Sequence, residues 1–146
     1  MNRIISVLRD PILLLPKVAL ALDLVLWLFW LPVMLRMYTV PILLQRLAES
    51  KKYIRRTPTE LRDVIGIASC VCNLRPFRSR FFPKLWLRQS LTLYRTLSRM
   101  GYPVEIHFGV RKEENNITGH SWVTIAGKPV ADTSYSAIFK TVYSYP

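Results

Sequence analysis

Gly119-His120-Ser121-Trp122-Val123-Thr124-Ile125-Ala126-Gly127-Lys128-Pro129-Val130-Ala131-Asp132 reads as two paired strands joined by a turn. Trp122, Thr124 and Ala126 alternate onto one pleat face, and Val123 and Ile125 onto the other. Ala126-Gly127-Lys128-Pro129 carries the turn signals. Neighbouring antiparallel strands lie about 5 Å apart, so Asp132 falls within reach of the His120 imidazole. A histidine oriented by a carboxylate is two-thirds of a nucleophilic triad, and the nucleophile has to come from elsewhere. Set against this, a single histidine on a strand is ordinarily structural.

The neighbouring sequence predicts the elements around that pair. Lys84-Leu85-Trp86-Leu87-Arg88-Gln89-Ser90-Leu91 opens a helix that runs to about Met100, with Gly101 and Pro103 as stop signals. Val104 to Val110 reads as a strand, and the polar run Arg111 to Thr118 as the loop leading into His120. Further upstream, Thr57-Pro58-Thr59-Glu60 forms a capping box for a helix from 58 to about 72. Leu61, Val64, Ile65, Ala68, Val71 and Cys72 recur on one face of that helix. Cys72 therefore belongs to the buried stripe, and Cys70 faces away from it. A buried thiol with no cation beside it has a raised pKa and is inert. Cys70-Val71-Cys72 has no second cysteine pair, and only His107 and His120 are available as histidines, so a zinc site and a disulfide scaffold are both poorly supported. No cofactor motif was found.

The order helix, strand, loop, His strand, Asp strand resembles the papain-like and transglutaminase-like core. Within that superfamily the chain resembles the leader peptidases of lasso-peptide biosynthesis. Leu87, Ser90, Leu91, Gly101, Gly109, Val110, His120, Trp122, Val123 and Asp132 match that pattern in order, over roughly residues 60 to 135. The resemblance implies an α+β fold with a small antiparallel sheet. It also implies a cysteine peptidase that removes the leader of a ribosomally made precursor peptide, with His120 as base and Asp132 as orienter. The partners it implies are the precursor peptide or its leader, a leader-recognition protein and an ATP-dependent lasso cyclase. The family's nucleophilic cysteine aligns with Trp86. An indole cannot be deprotonated to a nucleophile, so covalent catalysis at that position is closed. Two readings follow: a catalytically impaired relative that binds or presents a peptide, or an active peptidase or acyltransferase with a relocated thiol, Cys70 or Cys72. Ser90 matches the family's own serine and needs no catalytic role.

The chain of 146 residues is long enough for one domain, residues 51–146, and an apolar appendage, residues 1–50. Sixteen of the eighteen residues from Val18 to Leu35 are apolar, interrupted by Asp23 and Pro32. Pro11, Pro16, Pro32 and Pro41 are expected to divide this region into short pieces. A membrane-embedded helix or hairpin, an arm packed on the domain or a partner, and a surface anchor are the three readings. No small-residue cleavage site follows the basic start, which argues against a signal peptide.

The formal charge is +12, and residues 51–84 hold nine Lys/Arg against Glu60 and Asp63. Such a zone beside an apolar segment fits an anionic membrane surface or an acidic peptide. It is equally what a solvated basic face would look like. Nucleic acid fits less well, because no recognised binding motif accompanies the charge. The expected location is the cytoplasm, with residues 12–47 as the candidate contact to the inner face of the membrane. The aromatic tail from Thr133 to Pro146 is expected to cover the sheet edge.

Overall fold

The computed structural model describes residues 11–49, 60–114, 116–131 and 138–146. Among these residues, four helices and four strands follow in order: α1 (Pro11–Met37), α2 (Val40–Glu49), α3 (Leu61–Cys72), α4 (Leu85–Arg99), β1 (Val104–Glu113), β2 (Asn116–Ile125), β3 (Lys128–Pro129) and β4 (Lys140–Tyr145). A short 3₁₀ turn, Arg75–Arg78, lies between α3 and α4. The fold is α+β, with helices packed on one small antiparallel sheet of order β3-β2-β1-β4.

The organising element is α4, which contacts α1 and α3 as well as β1 and β2. Leu91, Leu93, Tyr94 and Leu97 are buried on it together with Ser90, Thr92, Thr96 and Ser98. A helix buried on nearly every face takes polar side chains into the core; among the described residues Thr96 Oγ1, Ser98 Oγ and Arg88 Nε find no hydrogen-bond partner there, while Thr92 and the Arg88 Nη atoms do. Thr92 accepts a hydrogen bond from Trp27 Nε1 at 3.2 Å. Arg88 is also buried, and its guanidinium donates to the carbonyls of Cys72, Phe77 and Pro83. It thereby ties the α3–α4 connection to the helix. The helix ends as Gly101 predicts. Gly101 has φ +83°, its N–H donates to the Ser98 carbonyl and the Tyr102 N–H to that of Leu97, the two bonds of a Schellman cap.

The prolines do not cut the N-terminal region as the sequence implies. α1 runs unbroken for 27 residues through Pro16 and Pro32. Pro11 and Pro41 stand in first turns, where a missing N–H costs nothing. Interior proline costs about 3 kcal/mol, and here burial offsets it. Leu24, Leu28 and Leu31 are fully buried in the same core as Val64, Ala68, Leu91 and Leu97. Residues on both sides of position 50 thus build one hydrophobic core. α1 from Leu14 to Met37 is also long and apolar enough to cross a membrane by length and composition.

Asp23, the one charge within the apolar run, is paired. Arg95 grips it with both Nη atoms, at 2.7 and 3.2 Å, and Arg99 Nη1 lies at 3.7 Å. The Arg95 guanidinium also lies 4.8 Å from the centre of the Trp27 ring. Lys17 adds a bridge to Asp63 on α3 at 2.8 Å.

Three boundaries differ from the sequence reading. The chain returns as the two-residue strand Lys128–Pro129, which the sequence reads as turn, while Val130 and Ala131 of the expected returning strand are bend. α3 begins at Leu61, with Glu60 as N-cap and no side-chain cap bond, rather than at 58. Residues 57–59 of the expected capping box lie outside the described residues. The loop expected at Arg111–Thr118 is strand: β1 and β2 pair all the way from Val104↔Ile125 to Glu113↔Asn116. The end of this hairpin projects past the core, and its described residues are exposed and, Ile117 apart, polar, so it reads as loop. An ion pair between Arg111 and Glu113 at 3.0 Å decorates it. At the other end Ala126 and Gly127 turn the chain, both with positive φ, as a two-residue hairpin loop between twisted strands requires. The tail supplies β4, which pairs with β1 through a bulge opposite Phe108–Gly109 and covers that edge.

Candidate functional site

Where the start of α4 meets β2, the fold leaves a cleft of about 600 Å³. Leu85, Trp86, Gln89, Ser90 and Leu93 line it from the helix, and Thr118 to Val123 from the strand. Ser69, Ala131 and Phe139 complete the wall. The helix and strand are pinned together beneath the cleft by Ser90 and Ser121, whose hydroxyls meet at 2.5 Å. Their two protons are shared between this contact and two carbonyl acceptors, Leu87 at 3.1 Å from Ser90 Oγ and Trp86 at 3.3 Å from Ser121 Oγ. Both serines are buried and engaged in holding α4 against β2.

This junction fixes what faces His120. Trp86 is the second residue of α4, and its indole centre lies 6.0 Å from the imidazole centre, tilted by 44°. His120 itself belongs to a ladder of flat rings. His107 stacks on Trp122 at 5.6 Å, Trp122 on His120 at 6.5 Å, and His120 on Phe139 at 5.2 Å. Gly109 makes the ladder possible. It sits opposite His120 in the register, and a Cβ there would come within 2.9 Å of both the Trp122 ring and Phe139 Cβ.

The structure brings His120 and Trp86 together in one cleft. Sequence reasoning missed Phe139, whose ring is a wall of the site rather than a cover for the sheet edge. It also missed Gln89, one turn along from Trp86, whose amide donates to Ser69 Oγ on α3 at 3.0 Å. The predicted orienter, Asp132, lies outside the described residues, while Ala131 just before it lines the cleft.

The two thiols are elsewhere. Cys70 is exposed on α3 and Cys72 is buried. Burial pushes the Cys72 thiol up, against the opposing pull of the Thr92 hydrogen bond and the nearby Arg88 charge. Neither sulfur is among the residues that line the cleft. Among the described residues, His120 shares the cleft with three aromatic side chains (Trp86, Trp122, Phe139), the polar Gln89–Ser69 pair and backbone from β2.

Comparison with curated proteins found no match, and comparison with solved structures likewise found none. A family model described as the transglutaminase-like superfamily matches residues 19–144, nearly the whole chain and most of α1. The helix, the strand pair and the cleft between them are all inside that match, and the chain belongs to the transglutaminase-like superfamily.

Proposed function

We propose that this chain is a catalytically impaired member of its superfamily. In this reading its cleft binds a precursor peptide or its leader during maturation of a ribosomal peptide of the lasso type. The observation that carries the reading is Trp86. It stands at the head of α4, facing the histidine, and on the resemblance to the leader peptidases it takes the position of their nucleophilic cysteine. An indole there cannot attack a carbonyl, and its bulk occupies the space a scissile bond would need. The aromatic ladder adds apolar area for binding without adding chemistry. Its partners on this reading are the leader-recognition protein and the ATP-dependent cyclase of such pathways, and its compartment is the cytoplasm.

The rival reading keeps peptidase or acyltransferase activity through a relocated thiol. Catalysis needs a sulfur within about 3–4 Å of the base, and Cys72 is buried with a raised pKa while Cys70 stands outside the cleft lining.

A lasso-type precursor peptide, intact and as its isolated leader, tests the proposal. Binding is followed by quenching of tryptophan fluorescence, and cleavage by mass spectrometry. The expected result is saturable binding that weakens at least tenfold in Trp122→Ala, with the precursor recovered uncut. Cleavage that disappears in His120→Ala would contradict impairment, and failure of either peptide to bind would remove the assigned ligand.

A further inference from the structure

The buried face of α1 leaves its other face unexplained. Leu15, Val18, Leu22, Leu26, Phe29, Val33 and Met37 recur at spacings of three and four, and all are exposed. Leu22 and Leu26 are more than 60 % exposed, and Trp30 beside them 59 %. From Leu15 to Met37 the stripe extends about 33 Å at 1.5 Å per residue, and between Asp23 and Arg36 the helix carries no charge. A patch of this kind on a soluble surface marks an interaction site.

What surrounds the stripe identifies the occupant. Phe29 packs edge-on against Phe77 of the 3₁₀ turn at 5.2 Å and against Phe82 at 6.3 Å. That contact brings the α3–α4 connection to the stripe's border. The connection, residues 73–84, carries Arg75, Arg78, Arg80 and Lys84 with no acidic residue, all four exposed. Phe81, 76 % exposed, projects among them. Apolar helix face, aromatic rim and cation border together match the interfacial layer of an anionic bilayer, where acyl chains, the glycerol–carbonyl region and phosphates follow in that order.

Two alternatives fit less of this. A second copy would bring one basic border against another on a chain whose formal charge is +12. A spanning α1 would have to leave its seat: Leu24, Leu28 and Leu31 would exchange the core for lipid, and Asp23 would lose Arg95 and Arg99.

We propose that α1 docks in the plane of an anionic membrane. The stripe from Leu15 to Met37 enters the outer acyl layer, and Arg75, Arg78 and Arg80 contact lipid phosphate. The opposite face of α1 stays seated on α3 and α4. The inference is independent of what the cleft binds.

Flotation of the full chain with vesicles tests it. One set is phosphatidylcholine alone, and the other is equal parts phosphatidylcholine and phosphatidylglycerol. The wild type is expected to float with the mixed vesicles, far less with the neutral ones, and less at high salt. Arg75→Glu with Arg78→Glu and Arg80→Glu is expected to cut partition about a hundredfold. Leu22→Glu with Leu26→Glu is expected to abolish it. Both variants change exposed positions, and unchanged far-UV circular dichroism confirms their fold. Brominated lipids are expected to quench Trp30 fluorescence (the part lost in Trp30→Leu) from shallow acyl positions only. Three results would overturn the proposal: no flotation of the wild type, flotation equal with both vesicle types, or alkali-resistant insertion that survives the charge reversals. A dimer in sedimentation velocity that Leu26→Glu disrupts, with no vesicle binding, would assign the stripe to a second copy instead.

Discussion

At the scale of single residues the molecule turns on two positions where shape decides. Gly109 is one. A side chain there has nowhere to go, because Trp122 and Phe139 already occupy the space. Gly109→Ala is therefore expected to destabilise the fold by about 1–3 kcal/mol, read from chemical denaturation, and to perturb His120 by displacing the rings stacked on it. Trp86 is the other. Its place at the head of α4 was legible in the sequence, since an apolar-periodic helix with a marked C-terminus fixes where the helix begins. Its closeness to His120 rested on the resemblance, and spacing alone could not have supplied it. Phe139 was not legible, because a tail of alternating aromatic and hydroxyl residues has no preferred partner until the sheet order is known.

At the scale of elements, local signals were read well wherever one face is buried and less well elsewhere. Gly101 ends α4 as its sequence predicts, and Cys72 joins the buried stripe of α3. The tip of the β1–β2 hairpin was misread as loop, because strand polarity alternates only where a core lies beneath it. The other end of β2 carries a flaw that can be repaired. Ala126 adopts φ +50°, a conformation that costs an L-residue with a Cβ about 1 kcal/mol, and that asparagine tolerates. Ala126→Asn creates the preferred Asn-Gly pair and is expected to stabilise the protein by about 0.5–1 kcal/mol, measured as a raised denaturation midpoint at unchanged slope. An unchanged or lowered midpoint would contradict the turn assignment.

At the scale of the whole molecule, composition separates the first fifty residues from the rest, while packing joins α1 and α2 to the remainder. The apolar run was legible as a helix-forming region, but its register against α4 depends on Asp23, which the sequence presents as a burden and the fold uses as a fastener. Burial pushes the Asp23 carboxyl up. The Arg95 hydrogen bond and the charges of Arg95 and Arg99 more than reverse this, leaving it below its ordinary value of 3.8. The sign follows from that. The stability this pair contributes is fully present above pH 3.8 and is lost as the pH falls through the lower folded value. Asp23 is half-exposed, so solvent screening limits the contribution to about 1 kcal/mol. Asp23→Asn is expected to remove that amount at neutral pH and to flatten the acid limb of the stability curve below pH 4. An acid limb identical to wild type would show that the pair does not anchor α1.

The claim on which the account rests is that the cleft beside His120 keeps a peptidase frame without a nucleophile. The most direct test is labelling by a thiol-directed electrophilic peptide at pH 7, followed by intact mass on wild type, His120→Ala, Cys70→Ala, Cys72→Ala and Trp86→Cys. Slow labelling of the wild type that is indifferent to His120 is expected, and faster, His120-dependent labelling once Trp86→Cys places a thiol at the head of α4. Fast labelling of the wild type that requires His120 together with Cys70 or Cys72 would contradict that claim, and would identify an active enzyme with a displaced thiol.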